Sequence, residues 1–76
     1  MKLKKNVIYK TKSLGLNETF YLIVKMIKEE EVTLVLYRES EEPLAIKTCQ
    51  SYFSDLDIRE VRDKKLIAKL ALKGLY

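Results

Sequence analysis

The chain has 76 residues, of which 47% are hydrophobic and 34% are charged, and its formal net charge is +4. This balance predicts a single folded domain spanning residues 1–76 and excludes an intrinsically disordered chain, which would be poorer in apolar side chains. No apolar run approaches the ~18–20 residues that span a bilayer, and the basic N-terminus lacks a signal peptide's apolar segment, so we expect no membrane contact. The single cysteine, Cys49, cannot form an internal disulfide, which indicates the reducing cytoplasm.

The charged residues are unevenly distributed along the chain. Residues 1–12 contain five lysines and no acid, residues 13–57 carry a net charge of −5, and residues 58–76 carry +4. The protein therefore has basic ends and an acidic middle, and a polyanionic partner would have to contact the two ends.

The first predicted element is a strand. Residues 6–11 (NVIYKT) are rich in β-branched and aromatic side chains, which is typical of strands. The following stretch, 12–19, contains Gly15 and Asn17, which adopt positive φ at low cost. We therefore expect an irregular loop between the first and second strands.

The clearest pattern is a pair of alternating apolar runs separated by a short charged gap. Apolar residues at a period of two predict strands with one buried face, and two such runs predict an antiparallel hairpin. The residues expected on its inner face are Phe20, Leu22, Val24, Met26, Val32, Leu34 and Leu36.

The register of this hairpin follows from its apolar faces. They coincide when Lys28 pairs with Val32, which also sets Met26 opposite Leu34 and Val24 opposite Leu36. This pairing requires a loop with an odd number of residues, so we expect a three-residue loop at 29–31, with a five-residue loop as the alternative. A three-residue loop usually contains a glycine in the left-handed conformation, and none is present here.

Short elements follow the hairpin. Pro43 comes after a polar turn and opens a strand over residues 44–49, in which we expect Leu44 and Ile46 to face the core. Residues 50–55 predict a tight turn, with Ser51 and Ser54 as capping candidates.

A helix is predicted near the C-terminus, over residues 62–73, because a basic stripe and apolar residues recur there at helical spacing. Asp63 is its candidate N-cap. Extending the helix backwards would place Ile58 on the basic stripe, so residues 56–61 form a separate strand or turn.

Together these elements predict an α+β fold, with an antiparallel sheet of four or five strands and one C-terminal helix. The order of strand, irregular loop, three-stranded meander, tight turn and short strand resembles that of small SH3-like barrels. The sheet is therefore expected either to stay open or to roll into such a barrel. This resemblance concerns the fold alone and implies no activity.

The inventory of reactive side chains argues against an enzyme. The sequence has no histidine, the commonest general base and metal ligand, and Cys49 is its only cysteine. Its two isolated glycines cannot form a phosphate-binding loop, and its acidic clusters at 29–31 and 39–42 fall in predicted turns. We expect no catalytic residues, metal, cofactor or small-molecule substrate.

The predicted helix has more apolar surface than one sheet can cover. A surplus of this kind usually marks an interface, here with a protein partner or a second copy of the chain. Leu70 and Leu72 lie on different sides of the helical wheel, so they should have different roles; the alternative is a helix buried nearly all round. The residues expected to contact the partner are Leu70, Leu72, Leu75 and Tyr76.

Nucleic-acid binding is the alternative function. Cations along one helix face could contact phosphates, and tyrosines beside a lysine on the outer sheet face could stack on bases. The same tyrosines could instead pack beneath the helix. The residues assigned to this surface are Arg62, Lys65, Lys69, Lys73, Tyr21, Lys25 and Tyr37.

From these features we predict a small non-enzymatic regulatory protein, an adaptor or inhibitor, that acts by protein–protein contact. The small size and the preference for lysine over arginine suit an accessory protein of a phage or an AT-rich bacterium.

Overall fold

The structure, a computed structural model, describes residues 3–12 and 18–76 and confirms the α+β fold class. Within these residues the sheet is antiparallel and open, in the order β4-β3-β2-β1-β5, so the barrel alternative is not realised. The predicted loop residues Gly15 and Asn17 lie outside the described residues. The elements are β1 (Ile8–Thr11), β2 (Phe20–Lys28), β3 (Glu31–Tyr37), β4 (Leu44–Cys49), a 3-10 helix (Gln50–Phe53), β5 (Ile58–Glu60) and α1 (Lys64–Leu72).

The turn of the β2–β3 hairpin differs from its prediction. Lys28 pairs with Glu31, so the loop has two residues, Glu29 and Glu30, rather than three or five. Glu29 adopts a φ of 57°, the left-handed conformation that two-residue hairpin turns favour. The predicted odd loop was wrong because it assumed that β2 pairs with β3 without interruption, whereas a β-bulge shifts their register.

A β-bulge at Lys25 restores the alignment of the apolar faces. Pairing shifts between Val24 and Met26, so that Val24 lies opposite Leu34 instead of the predicted Leu36. The bulge adds one unpaired residue to β2, which compensates for the even number of residues in the loop. It also reverses the sheet face on which the side chains of β2 after Lys25 lie. As a result, Met26 is 56% exposed rather than buried, and Ile27 packs on the core in its place.

The first core lies on one face of the sheet, where the predicted alternation holds from Phe20 to Val24 and from Val32 to Leu36. Phe53 of the 3-10 helix and Leu3 cover this face, and the Leu3 amide donates a hydrogen bond of 3.1 Å to Gln50 Oε1. The buried residues of the first core are Leu3, Tyr9, Leu22, Val24, Val32, Leu34, Phe53 and Ile58.

Tyr9 brings a phenol into this first core. The Lys4 amide donates to its hydroxyl at 2.9 Å, which satisfies the polar end of an otherwise buried ring. Burial raises the pKa of Tyr9 above its ordinary value of 10.0, because the phenolate would lose its hydration. The ring is therefore neutral across the physiological range.

The second core lies between the opposite face of the sheet and α1. Asp63 caps the helix as predicted, since its carboxylate accepts from the Lys65 amide at 3.0 Å. The helix is shorter than the predicted 62–73 by two residues at its start and one at its end. The buried residues of this core are Ile8, Ile23, Tyr37, Val61 and Leu70, with Tyr21, Val35, Leu66, Ile67 and Leu75 packed against them.

Candidate functional site

The four residues predicted to contact a partner occupy three different environments. Leu70 is 0% exposed within the second core, so it belongs to this chain's own interior and is not available to a partner. Leu72, by contrast, is 89% exposed. The helical wheel therefore separated the two leucines correctly, but only one of them lies on the surface.

The C-terminal residues beyond the helix are tied to the rest of the chain. Leu75 packs against the second core, and its amide donates to the Leu70 carbonyl at 3.0 Å. Tyr76 is 51% exposed, and its hydroxyl donates to the Asn6 carbonyl at 3.1 Å. The predicted apolar surface on the helix is thus reduced to Leu72 and the small exposed residues Ala68 and Ala71.

The predicted stacking surface for nucleic acid is covered. Tyr21 and Tyr37 lie 6.3 Å apart, centroid to centroid, and both pack in the second core beneath α1. The helix covers them because the apolar side of α1 needs an apolar surface, and this sheet face supplies one. Lys25 sits at the bulge and is only partly exposed.

The predicted basic stripe is on the surface, but acidic and aromatic groups from other elements adjoin it. Lys69 Nζ lies 3.4 Å from Glu39 Oε1, and Lys73 Nζ lies 5.8 Å from the centroid of Tyr37. Arg62 and Lys65 remain well exposed. Sequence spacing located the stripe correctly, but it could not locate the Glu39 carboxylate, which comes from the β3–β4 turn.

A surface that sequence reasoning did not identify is the outer edge of β4. No described residue pairs with this side of the strand, since β3 is its only neighbour in the sheet. The Gln50 amide donates to the Glu30 carbonyl at 2.8 Å, which extends the β3–β4 ladder by one residue pair. Bonded residues alternate in an antiparallel ladder, so Leu44, Ile46 and Thr48 direct their backbone groups toward β3.

The same alternation directs the backbone N–H and C=O groups of Ala45 and Lys47, and the N–H of Cys49, away from the sheet. Beside this row of unpaired groups, Leu44 is 57% exposed although it was predicted to face the core, and Ile46 is partly exposed. Leu44 misses the core because the 3-10 helix that covers this face follows the far end of β4.

The two edges of the sheet differ in their protection against strand pairing. At the opposite edge, β5 has three residues, and two of them, Arg59 and Glu60, are charged and exposed. Short length and charge are devices that prevent pairing with other chains. β4 has six residues and a single charge, Lys47, so it is the edge open to another strand.

Residues 3–12 and 18–76 thus form an open-sheet α+β domain with one edge accessible to another strand. No protein-family model, curated protein or solved structure matches the chain. In the part of the chain that the structure describes, no helix has the length and apolar character needed to cross a membrane. The described residues also contain no cluster of three or more Cys, Asp or Glu side chains placed to hold a metal ion.

Proposed function

We propose that the protein is a non-enzymatic binding module, a regulator of the adaptor or inhibitor kind, that contacts a protein partner by accepting a β-strand at the outer edge of β4. The observation that carries this proposal is the six-residue edge next to the half-exposed Leu44, whose outward backbone groups pair with no described residue. Strand addition derives its affinity from main-chain hydrogen bonds and its specificity from alternate side chains.

The side chains at this edge suit such a contact. Leu44 and Ile46 lie on the face of the first core, so an added strand with apolar residues at alternate positions would extend that core. Lys47 lies on the opposite face and would favour an acidic neighbour. The absence of histidine from the sequence agrees with a function that needs binding and no catalysis.

A peptide library displayed on phage tests this proposal. We expect selection on the immobilised protein to enrich extended peptides with alternating apolar residues, because these form the added strand. Lys47→Pro removes an outward N–H and leaves the β3–β4 bonds intact, so it should abolish binding of the enriched peptides, as measured by fluorescence anisotropy.

Leu72→Lys is the matched control, because it changes an exposed apolar residue far from the edge in sequence and should leave peptide affinity unchanged. Peptides that bind Lys47→Pro as tightly as the unmodified protein would contradict the proposal, as would a selection that enriches no peptides from a protein that sediments as a monomer. Circular dichroism of the Lys47→Pro variant verifies that its sheet is retained.

Nucleic-acid binding is the second candidate, and the exposure of Arg62 and Lys65 is the observation that favours it. If it is correct, affinity for a labelled DNA duplex should fall steeply with salt, because each lysine–phosphate contact releases counterions. Replacing Lys65, Lys69 and Lys73 by Gln should flatten that dependence. Affinity no tighter than ~10⁻⁴ M at physiological salt would remove this candidate.

A further inference from the structure

We infer that the strand accepted at the edge of β4 is β4 of a second copy of the chain, paired antiparallel about a two-fold axis with Ile46 opposite Ile46 of the second copy. This inference rests on the proposed function, because it names the occupant of the same edge. Symmetric dimers are the commonest protein oligomers, and an antiparallel strand is complementary to itself about such an axis.

The alternation of backbone groups restricts the possible registers. A residue whose N–H and C=O point outward can pair only with an outward residue of the other strand. Odd-numbered residues of β4 must therefore face odd-numbered residues, and the two-fold axis must pass through a residue position. An axis at either end of β4, at Leu44 or Cys49, would set most of each strand opposite residues outside β4, so four positions remain for comparison: Ala45, Ile46, Lys47 and Thr48.

Three of these positions are unfavourable. An axis at Ala45 leaves the outward N–H of Cys49 without an acceptor, because the opposing residue lies before Pro43. An axis at Thr48 sets Ala45 opposite Ser51, which belongs to the 3-10 helix. An axis at Lys47 places that ammonium group directly opposite its copy, and like charges across a ladder are destabilising.

The axis at Ile46 avoids all three problems. Ala45 and Lys47 of opposite chains then exchange both backbone hydrogen bonds, and Lys47 faces a methyl group instead of another lysine. Beyond Lys47, the next outward residue is Cys49, which lies opposite Pro43 of the second copy, so its N–H can donate to the Pro43 carbonyl. Proline has no N–H that this pairing would leave without an acceptor.

The same register joins the exposed apolar side chains of the two copies. Ile46 meets its copy and Leu44 lies opposite Thr48, so Leu44 and Ile46 of both chains form one apolar strip on the face of the first cores. Directly opposed residues share a face, so the axis is perpendicular to the sheet. Both copies of α1 therefore lie on the same side of a continuous ten-stranded sheet, five strands coming from each copy.

Disulfide trapping tests this register residue by residue. In a Cys49→Ser background, Ile46→Cys should cross-link to a covalent dimer under mild oxidation, because opposed residues that do not exchange hydrogen bonds have Cα atoms ~4.5 Å apart, within disulfide range. Lys47→Cys is the matched control. This variant should not cross-link to itself, because in this register position 47 lies opposite Ala45 of the second copy and only diagonal to position 47 of that copy.

A second pair of variants keeps the test independent of any loss of packing at Ile46. Leu44→Cys and Thr48→Cys chains, each in the Cys49→Ser background, should give a covalent heterodimer when mixed and little cross-linking when kept apart. Sedimentation velocity of the unmodified protein should show a dimer, and Lys47→Pro should convert it to a folded monomer.

A monomeric unmodified protein that gives no cross-link from Ile46→Cys or from the mixed pair would overturn self-pairing. In that case peptide binding that is lost in Lys47→Pro would still support the proposed function, so the two failures are distinguishable. Cross-linking through Lys47→Cys, or a dimer that Leu72→Lys dissociates, would also overturn the inference, because the contact would then have another register or another surface.

Discussion

Leu70→Lys is expected to unfold the domain, whereas Leu72→Lys should leave its melting temperature nearly unchanged. Leu70 is 0% exposed, and an ammonium group placed there would lose its hydration without gaining a partner, which costs several kcal/mol. A domain of this size has a total stability of about 4–11 kcal/mol at ~0.05–0.15 kcal/mol per residue. The lysine would therefore lower the free energy of unfolding to near or below zero.

Leu72 provides the control for this prediction because it belongs to the same helix and is 89% exposed. A surface substitution of this kind usually changes stability by about 0.5 kcal/mol or less. Thermal melts followed by circular dichroism compare the two variants directly, and Leu70→Ala should fall between them with a loss of about 2–5 kcal/mol. A cooperative melt of Leu70→Lys at the original temperature would show that α1 does not pack as described.

Large and similar losses of stability are expected for Leu34→Ala and Tyr37→Ala, although the two side chains lie on opposite faces of β3. Leu34 is fully buried in the first core and Tyr37 is buried in the second. Truncating a buried leucine or a large aromatic ring costs about 2–5 kcal/mol, because it removes contacts and leaves a cavity. Urea denaturation measures both changes in the free energy of unfolding.

Met26→Ala is the matched control for the hairpin, since Met26 continues the alternation of β2 but lies beyond the bulge and is 56% exposed. Its loss should stay within about 0.5 kcal/mol. A loss at Met26 as large as that at Leu34 would mean that the strand keeps its facing through Lys25, contrary to the observed register. A small loss at Tyr37 would mean that α1 leaves this face uncovered.

Local patterns in the sequence predicted much of the fold. The alternation around Leu22 and Leu34 identified the inner face of the hairpin, and the wheel of the helix separated Leu70 from Leu72. Asp63 was recognisable as a cap because its side chain bonds an amide two residues away. Each of these features depends on residues close in sequence, which is why they could be predicted from one sequence alone.

The bulge and the candidate site depend on information that is not local. Nothing in the residues around Lys25 predicts a bulge. Glu29 adopts a positive φ although it is not a glycine, so the sequence did not indicate a tight turn at this position. The accessible edge of β4 exists because the sheet stays open, and openness is decided by how distant strands pair. The sequence predicted both the open sheet and the barrel, so it could not identify β4 as an edge.

The helix α1 is attached to the domain differently from every strand. Ladders of main-chain hydrogen bonds join each strand to its neighbours, whereas no backbone hydrogen bond among the described residues joins Lys64–Leu72 to the sheet. The last such link before the helix runs from the Val61 amide to the Ile8 carbonyl. Side-chain packing in the second core is therefore what holds α1 on the sheet, and we expect its amides to exchange with solvent faster than those of the central strands.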